Sequence, residues 1–203
     1  MRPCRFPILL ILPLLLSAPV HAQEDNPSVP MTNLYTDAGL LGLAVNNLGY
    51  FGTAFSNKFM PSAEYFLNSN TEHIYRGGIW VGARDSDGSL RVSTGAQDAN
   101  GLVEGDEVRE FQNYYVIEEV DGVEEKKSYI IWSNEQNADN FNNNALATQH
   151  IEFAFKDNAK IESGNHTPLG LKVQQRILAW GPKHADDFVI LDYIIVNDNE
   201  ATN

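Results

Sequence analysis

Four histidines follow residue 22, His73, His150, His166 and His184, and they are separated by 77, 16 and 18 residues. A zinc site on one strand or helix face needs ligands two or four residues apart, so this spacing favours ordinary surface or core histidines. A second group, Asp98, Glu104, Asp106 and Glu107, sits among Gly101 and Gly105. Calcium takes carboxylate and backbone oxygens in flexible loops, so this is the candidate metal site. Asp85, Asp87 and Gly88 form a fragment of a calcium loop, but the twelfth position of that frame is Ala96 rather than a bidentate Glu. A hairpin turn is the better reading there.

Catalytic signatures are scarce. No GxSxG elbow occurs, and the single cysteine, Cys4, precedes the region that folds. Paired acids at Glu118-Glu119, Glu124-Glu125 and Asp186-Asp187 would suit a glycosidase, yet solvation accounts for them equally. Asp192 interrupts a hydrophobic run, and a buried carboxylate there must be paired or protonated, for which a partner such as Arg176 on the preceding strand is expected. Trp80 and Trp180 fall within strands and are expected in the core, while Trp132 borders an Asn-rich stretch. Indole plus carboxamide is suitable chemistry for a sugar, so Trp132, Asn134 and Asn137 form the candidate glycan contact.

The elements that must position these groups read as strands. No segment after residue 22 sustains a 3.6-residue apolar period, whereas alternation with period two recurs between turn signals. In residues 149–155, Gln149, Ile151, Phe153 and Phe155 alternate with His150, Glu152 and Ala154. In 169–180, Leu169, Leu171, Val173, Ile177 and Ala179 alternate with Lys172, Gln174 and Arg176. Asp87-Gly88 and Asp121-Gly122 each separate β-rich arms, and Asp-Gly suits a type I′ hairpin turn. In the second hairpin a symmetric ladder would set Glu118 and Glu119 against Lys126 and Lys127. Residues 133–144 read as a long loop or one short helical turn, and 187–196, DFVILDYIIV, as a strand in the middle of a sheet with apolar side chains on both faces.

The first 22 residues read as a secretion leader: Arg2 and Arg5, an apolar run over 6–16, and a small-residue site predicting cleavage between Ala22 and Gln23. The run is too short to span a bilayer, and Cys4 is misplaced for lipidation. Losing the two arginines takes the formal charge from −13 to −15, which disfavours nucleic acid and anionic membranes. With no disulfide, stability must come from burial, and the 181 residues left suffice for one core. Residues 23–38 read as an extended lead-in and 39–203 as one domain, without internal repeats.

Three segments, 64–95 (EYFLNSNTEHIYRGGIWVGARDSDGSLRVSTG), 166–182 (HTPLGLKVQQRILAWGP) and 186–197 (DDFVILDYIIVN), carry a resemblance. Together they resemble the N-terminal region of large secreted multidomain bacterial proteins of the type IX secretion kind, with a C-terminal sorting domain. A GxWVGG-like strand falls at 78–82, a PLGxxV strand at 168–173 and a DxVxxxYxIxN strand at 187–197, over roughly residues 39 to 197 in all. These motifs are structural rather than catalytic. The resemblance implies export by the type IX route, and a chain that is the N-terminal part of a longer product.

The expectation is therefore an all-β, antiparallel sandwich-like module with long loops and little helix, exported to the outer cell surface or beyond. Its expected role is binding or structural and non-catalytic, with downstream domains of the same protein and a glycan or other surface component as partners. No cofactor is required, although calcium is permitted. The competing readings are the front portion of a secreted hydrolase acting on polysaccharide or peptide, and a calcium-stabilised adhesin module.

Overall fold

The computed structural model describes residues 29–55, 59–84, 87–95, 110–157 and 166–198. These residues form strands and no helix, so the fold is all-β. The strands are β1 (Asn33–Tyr35), β2 (Leu41–Asn46), β3 (Tyr50–Phe51), β4 (Ala63–Tyr65), β5 (Gly77–Gly78), β6 (Trp80–Arg84), β7 (Leu90–Thr94), β8 (Gln112–Tyr114), β9 (Val116–Val120), β10 (Val123–Lys127), β11 (Ile130–Trp132), β12 (Gln149–Asp157), β13 (Leu171–Ala179) and β14 (Val189–Asn197). One sheet runs β1-β2-β3-β5 with β4 also on β2, and another runs β11-β12-β13-β14 with β8 also on β12. β6-β7 and β9-β10 are two-stranded ribbons, and every named pairing is antiparallel.

The alternation in β12 and β13 works as the sequence implies. Ile151, Phe153, Phe155, Val173 and Ile177 are fully buried on one face, with Ile151 paired to Ile177 and Phe155 to Val173. Leu43, Val45 and Ala63 of the first sheet join Ile151, Phe153 and Ile177 of the second in one cluster, so the two sheets share a core. Each such side chain contributes about 1.5–3 kcal/mol on leaving water. Phe111 sets its ring edge against Phe155, centroids 5.0 Å apart, in a neighbouring cluster.

The other face of the second sheet is covered by an excursion of the chain. β8 pairs with 154–156 and β11 with 150–152, both antiparallel to β12 and on one line. They are two halves of one strand, and the β9-β10 hairpin is inserted between them. Val116, Ile130, Tyr114 and Ala154 pack beneath it with Trp132. The hairpin turns on Asp121 (φ 53°) and Gly122 (φ 80°), the positive-φ pair expected of type I′.

Five expectations are corrected in detail. β14 has one sheet neighbour, β13, among the described residues, so it stands at an edge rather than in the middle, with Ile190, Ile194, Ile195 and Val196 between 42% and 49% exposed. Trp80 is 63% exposed rather than in the core, because it lies on the two-stranded β6-β7 ribbon. Arg84 pairs with Leu90, which leaves a five-residue connection instead of a two-residue Asp87-Gly88 turn. In the second hairpin Glu118 and Glu119 lie opposite Glu125 and Glu124, and Lys127 reaches Glu118 diagonally at 2.7 Å. The lead-in is partly a strand, β1, paired to β2 through Asn33 and Asn46.

Candidate functional site

A cleft of about 920 Å³ opens beside the first sheet. Tyr35 and Asp37 border it from the end of β1, Phe55, Phe59, Met60 and Pro61 from the chain between β3 and β4, and Glu64 from β4. Leu67, Asn68, Asn70 and Glu72 complete it from the loop that follows. Of the five non-glycine residues with positive φ among those described, four lie in its two loops: Ala54 (54°), Phe55 (57°), Asn68 (70°) and Asn70 (57°). Asparagine tolerates this region, but for Ala54 and Phe55 the left-handed conformation costs about 1–2 kcal/mol each. Such strain persists only where surrounding bonds over-determine it, and it concentrates at ligand sites.

Those surrounding bonds are present. Thr53 N–H donates to Ser62 Oγ at 2.7 Å, and Ser62 Oγ donates to the Ile74 carbonyl at 2.6 Å. Ala54 N–H donates to the Tyr75 carbonyl at 2.8 Å, and the Phe55 ring meets Tyr75 edge-on at 5.2 Å. Glu72 Oε2 accepts from the Ser62 and Ala63 N–H groups at 2.9 and 2.8 Å. Glu64, 8% exposed, accepts from Asn70 N–H through Oε1. The result is a preformed wall presenting aromatic faces, carboxamides and carboxylates. Aromatic faces beside carboxamides and carboxylates are able to stack against and hydrogen-bond a polyhydroxylated ligand.

A second cluster is sealed inside. Asp157 is wholly buried; its Oδ1 lies 2.7 Å from His166 Nε2, and its Oδ2 accepts from Ser93 Oγ at 2.5 Å and Leu169 N–H at 2.6 Å. Glu110 Oε1 lies 3.8 Å from His166 Nδ1, and its Oε2 accepts from Thr94 N–H at 2.6 Å. Burial would lower the His166 pKa, but the hydrogen bond and charge of Asp157, with Glu110, raise it above its ordinary value. Asp157 stands between Ser93 and His166, so the order is not that of a nucleophile–base relay. The cluster fastens four segments together.

Trp132 is half-buried: its indole N–H donates to Glu118 Oε1 at 2.7 Å and its ring meets His150 edge-on at 5.6 Å. Its one donor is therefore engaged in tying the inserted hairpin down. Asn134 and Asn137 are exposed in the adjacent loop. Burial would raise the Glu152 pKa, but His150, Gln174 and Arg176 outweigh it and hold the carboxyl below its usual range. Asp192 is bonded to Arg176 directly across the β13-β14 ladder, the pairing expected from the sequence. Asp98, Glu104, Asp106 and Glu107, and the cleavage residues Ala22 and Gln23, lie outside the described residues. Among the described residues no group of three or more His, Cys, Asp or Glu is placed to hold a metal ion.

Sequence reasoning missed the cleft. The available signal was the run of aromatic and asparagine residues in 65–70, interrupting the alternation near Pro61. Compared with known proteins, the chain matches no family model, no curated protein and no solved structure. Among the described residues no helix is long and apolar enough to cross a membrane.

Proposed function

We propose that the chain is an exported, non-catalytic binding module of a larger cell-surface or secreted bacterial protein, sandwich-like in architecture, and that its ligand is a glycan held in the Phe55–Glu72 cleft. The leader pattern of residues 1–22 supports export, and the resemblance over 39 to 197 supports the larger assembly of the type IX kind. The observation that carries the binding role is the cleft itself. Aromatic rings at Tyr35, Phe55 and Phe59 stand beside Asn68 and Asn70 on a backbone held in left-handed conformations.

Preorganisation is what such a wall contributes, because loops already ordered lose little entropy on binding. A glycan array probed with the mature chain tests the role. The expected result is binding to a defined subset of glycans that falls about tenfold or more in Phe55→Ala, the loss of one stacking contact and its buried area. Binding that is indifferent to Phe55→Ala would move the ligand elsewhere.

A further inference from the structure

The β6-β7 ribbon carries an exposed apolar face. Cross-strand pairing sets Trp80 opposite Thr94, Gly82 opposite Val92 and Arg84 opposite Leu90, and strand alternation puts these six residues on one side. Trp80 is 63% exposed there, Leu90 73% and Val92 49%. Leaving an indole and two aliphatic side chains in water forgoes the burial that stabilises the rest of the fold, and patches of this kind mark interaction sites. None of the cleft's described lining residues belongs to this ribbon.

Gly82 sits in the middle of the strip with no demand from the fold. It lies in an extended strand without a left-handed φ, and a Cβ built there would meet only the Arg91 carbonyl oxygen, at 3.9 Å. The fold has room for a side chain at a position where glycine weakens a strand. What glycine does provide is a flat centre to the face, which close approach of a ligand requires. Arg84, whose Nη1 donates to the Gly88 carbonyl at 2.8 Å, sets a planar group of N–H donors at the far end of the strip, about 13 Å of strand from Trp80.

The size of the patch decides the occupant. Three partly exposed side chains amount to on the order of 300 Å², the size of a small functional patch and well short of the about 800 Å² per partner that a specific protein interface buries. An indole face for the apolar side of a pyranose, with guanidinium donors for its hydroxyls, suits a sugar. The chain's formal charge of −13 disfavours an anionic polymer. We infer that Trp80, Gly82, Leu90 and Val92 form a second carbohydrate-binding surface for flat, extended, neutral oligosaccharides of the β-1,4-linked kind, one ring stacking on Trp80 and the next lying over Gly82 towards Arg84. This surface is separate from the cleft and does not depend on the glycan reading of it.

Tryptophan emission of the protein reads this surface directly, because Trp80 is the exposed one of its three tryptophans, while Trp132 and Trp180 are partly buried. The probes are six-unit β-1,4-linked oligomers of glucose, xylose and N-acetylglucosamine. At least one is expected to shift the emission saturably to shorter wavelength, with calorimetry giving the same affinity. Gly82→Val, a strand-favouring change that keeps the fluorophore, should leave the thermal melt unchanged or raised and weaken that binding about tenfold or more. Trp80→Ala should weaken it as much, and Phe55→Ala should leave it unaltered. Binding that survives both Gly82→Val and Trp80→Ala at full strength would overturn the inference, and loss in Phe55→Ala alone would assign the sugar to the cleft instead. Binding of none of the three oligomers would overturn it while leaving the cleft to be judged by the glycan array. An emission shift that grows with protein concentration in the absence of sugar would also overturn it, in favour of a second copy of this chain.

Discussion

His166 and Asp157 are joined at 2.7 Å inside the protein, Nε2 to Oδ1, with the other carboxylate oxygen held by Ser93 and Leu169. The pair links the end of β12 to the chain entering β13, and Glu110 extends the link towards β7. His166 has a folded-state pKa raised above its ordinary 6.5, so its protonation stabilises the fold. That contribution is complete below the unfolded value and is lost as pH rises through the folded value. Glu118 and Glu152, held below their ordinary 4.5, act oppositely, losing their contribution as pH falls. Thermal melts should therefore be highest between about pH 5 and 6.5 and decline above it, and His166→Gln should flatten the decline. An unchanged slope in the variant would show that another group sets it.

The inserted β9-β10 hairpin is tied down at Trp132. Trp132→Phe keeps the ring against His150 and removes the donor to Glu118, a charged acceptor that retains Lys127. The expected cost in urea denaturation is about 1.5–3 kcal/mol, the range for one hydrogen bond to a charged group. Ligand affinity should be unchanged, since Trp132, at the end of β11, is not among the residues lining the cleft. A glycan affinity that falls with Trp132→Phe would restore Trp132 as the contact.

Gly95 shows where the fold tolerates no side chain. A Cβ there would lie 2.2 Å from the Gly49 carbonyl oxygen and 2.5 Å from its carbon, while Gly95 N–H donates to the Ile79 carbonyl at 2.9 Å. The obstacle is backbone, which cannot rotate aside. Gly95→Ala should destabilise by about 2 kcal/mol or more, whereas Gly82→Ala, whose nearest neighbour is at 3.9 Å, should stay within about 0.5 kcal/mol. Chemical denaturation of the two variants side by side checks the contrast.

Period-two alternation made β12 and β13 legible, because one face had to be apolar and Ile151, Phe153, Phe155, Val173 and Ile177 supplied it. The Asp121-Gly122 turn and the Arg176–Asp192 pair were legible for equally local reasons, a φ preference and an uncompensated charge. The position of β14 was not, since a run apolar on both faces states that both faces want cover and not which neighbour supplies it. Trp80 misled in the same way: strand membership was right, but among the described residues its ribbon pairs only β6 with β7, and the side chain is exposed. The cleft escaped because its groups come from β1, β4 and two loops, and nothing in their spacing announces that antiparallel pairing of β2 with β1 and β4 brings them together.

Hydrogen exchange of the protein, free and saturated with its best-binding glycan, tests the central claim most directly. The account predicts new protection of backbone amides in residues 53–55 and 59–75, with residues 132–144 unchanged. Protection confined to 132–144, with the Phe55–Glu72 cleft exchanging as in the free protein, would contradict it.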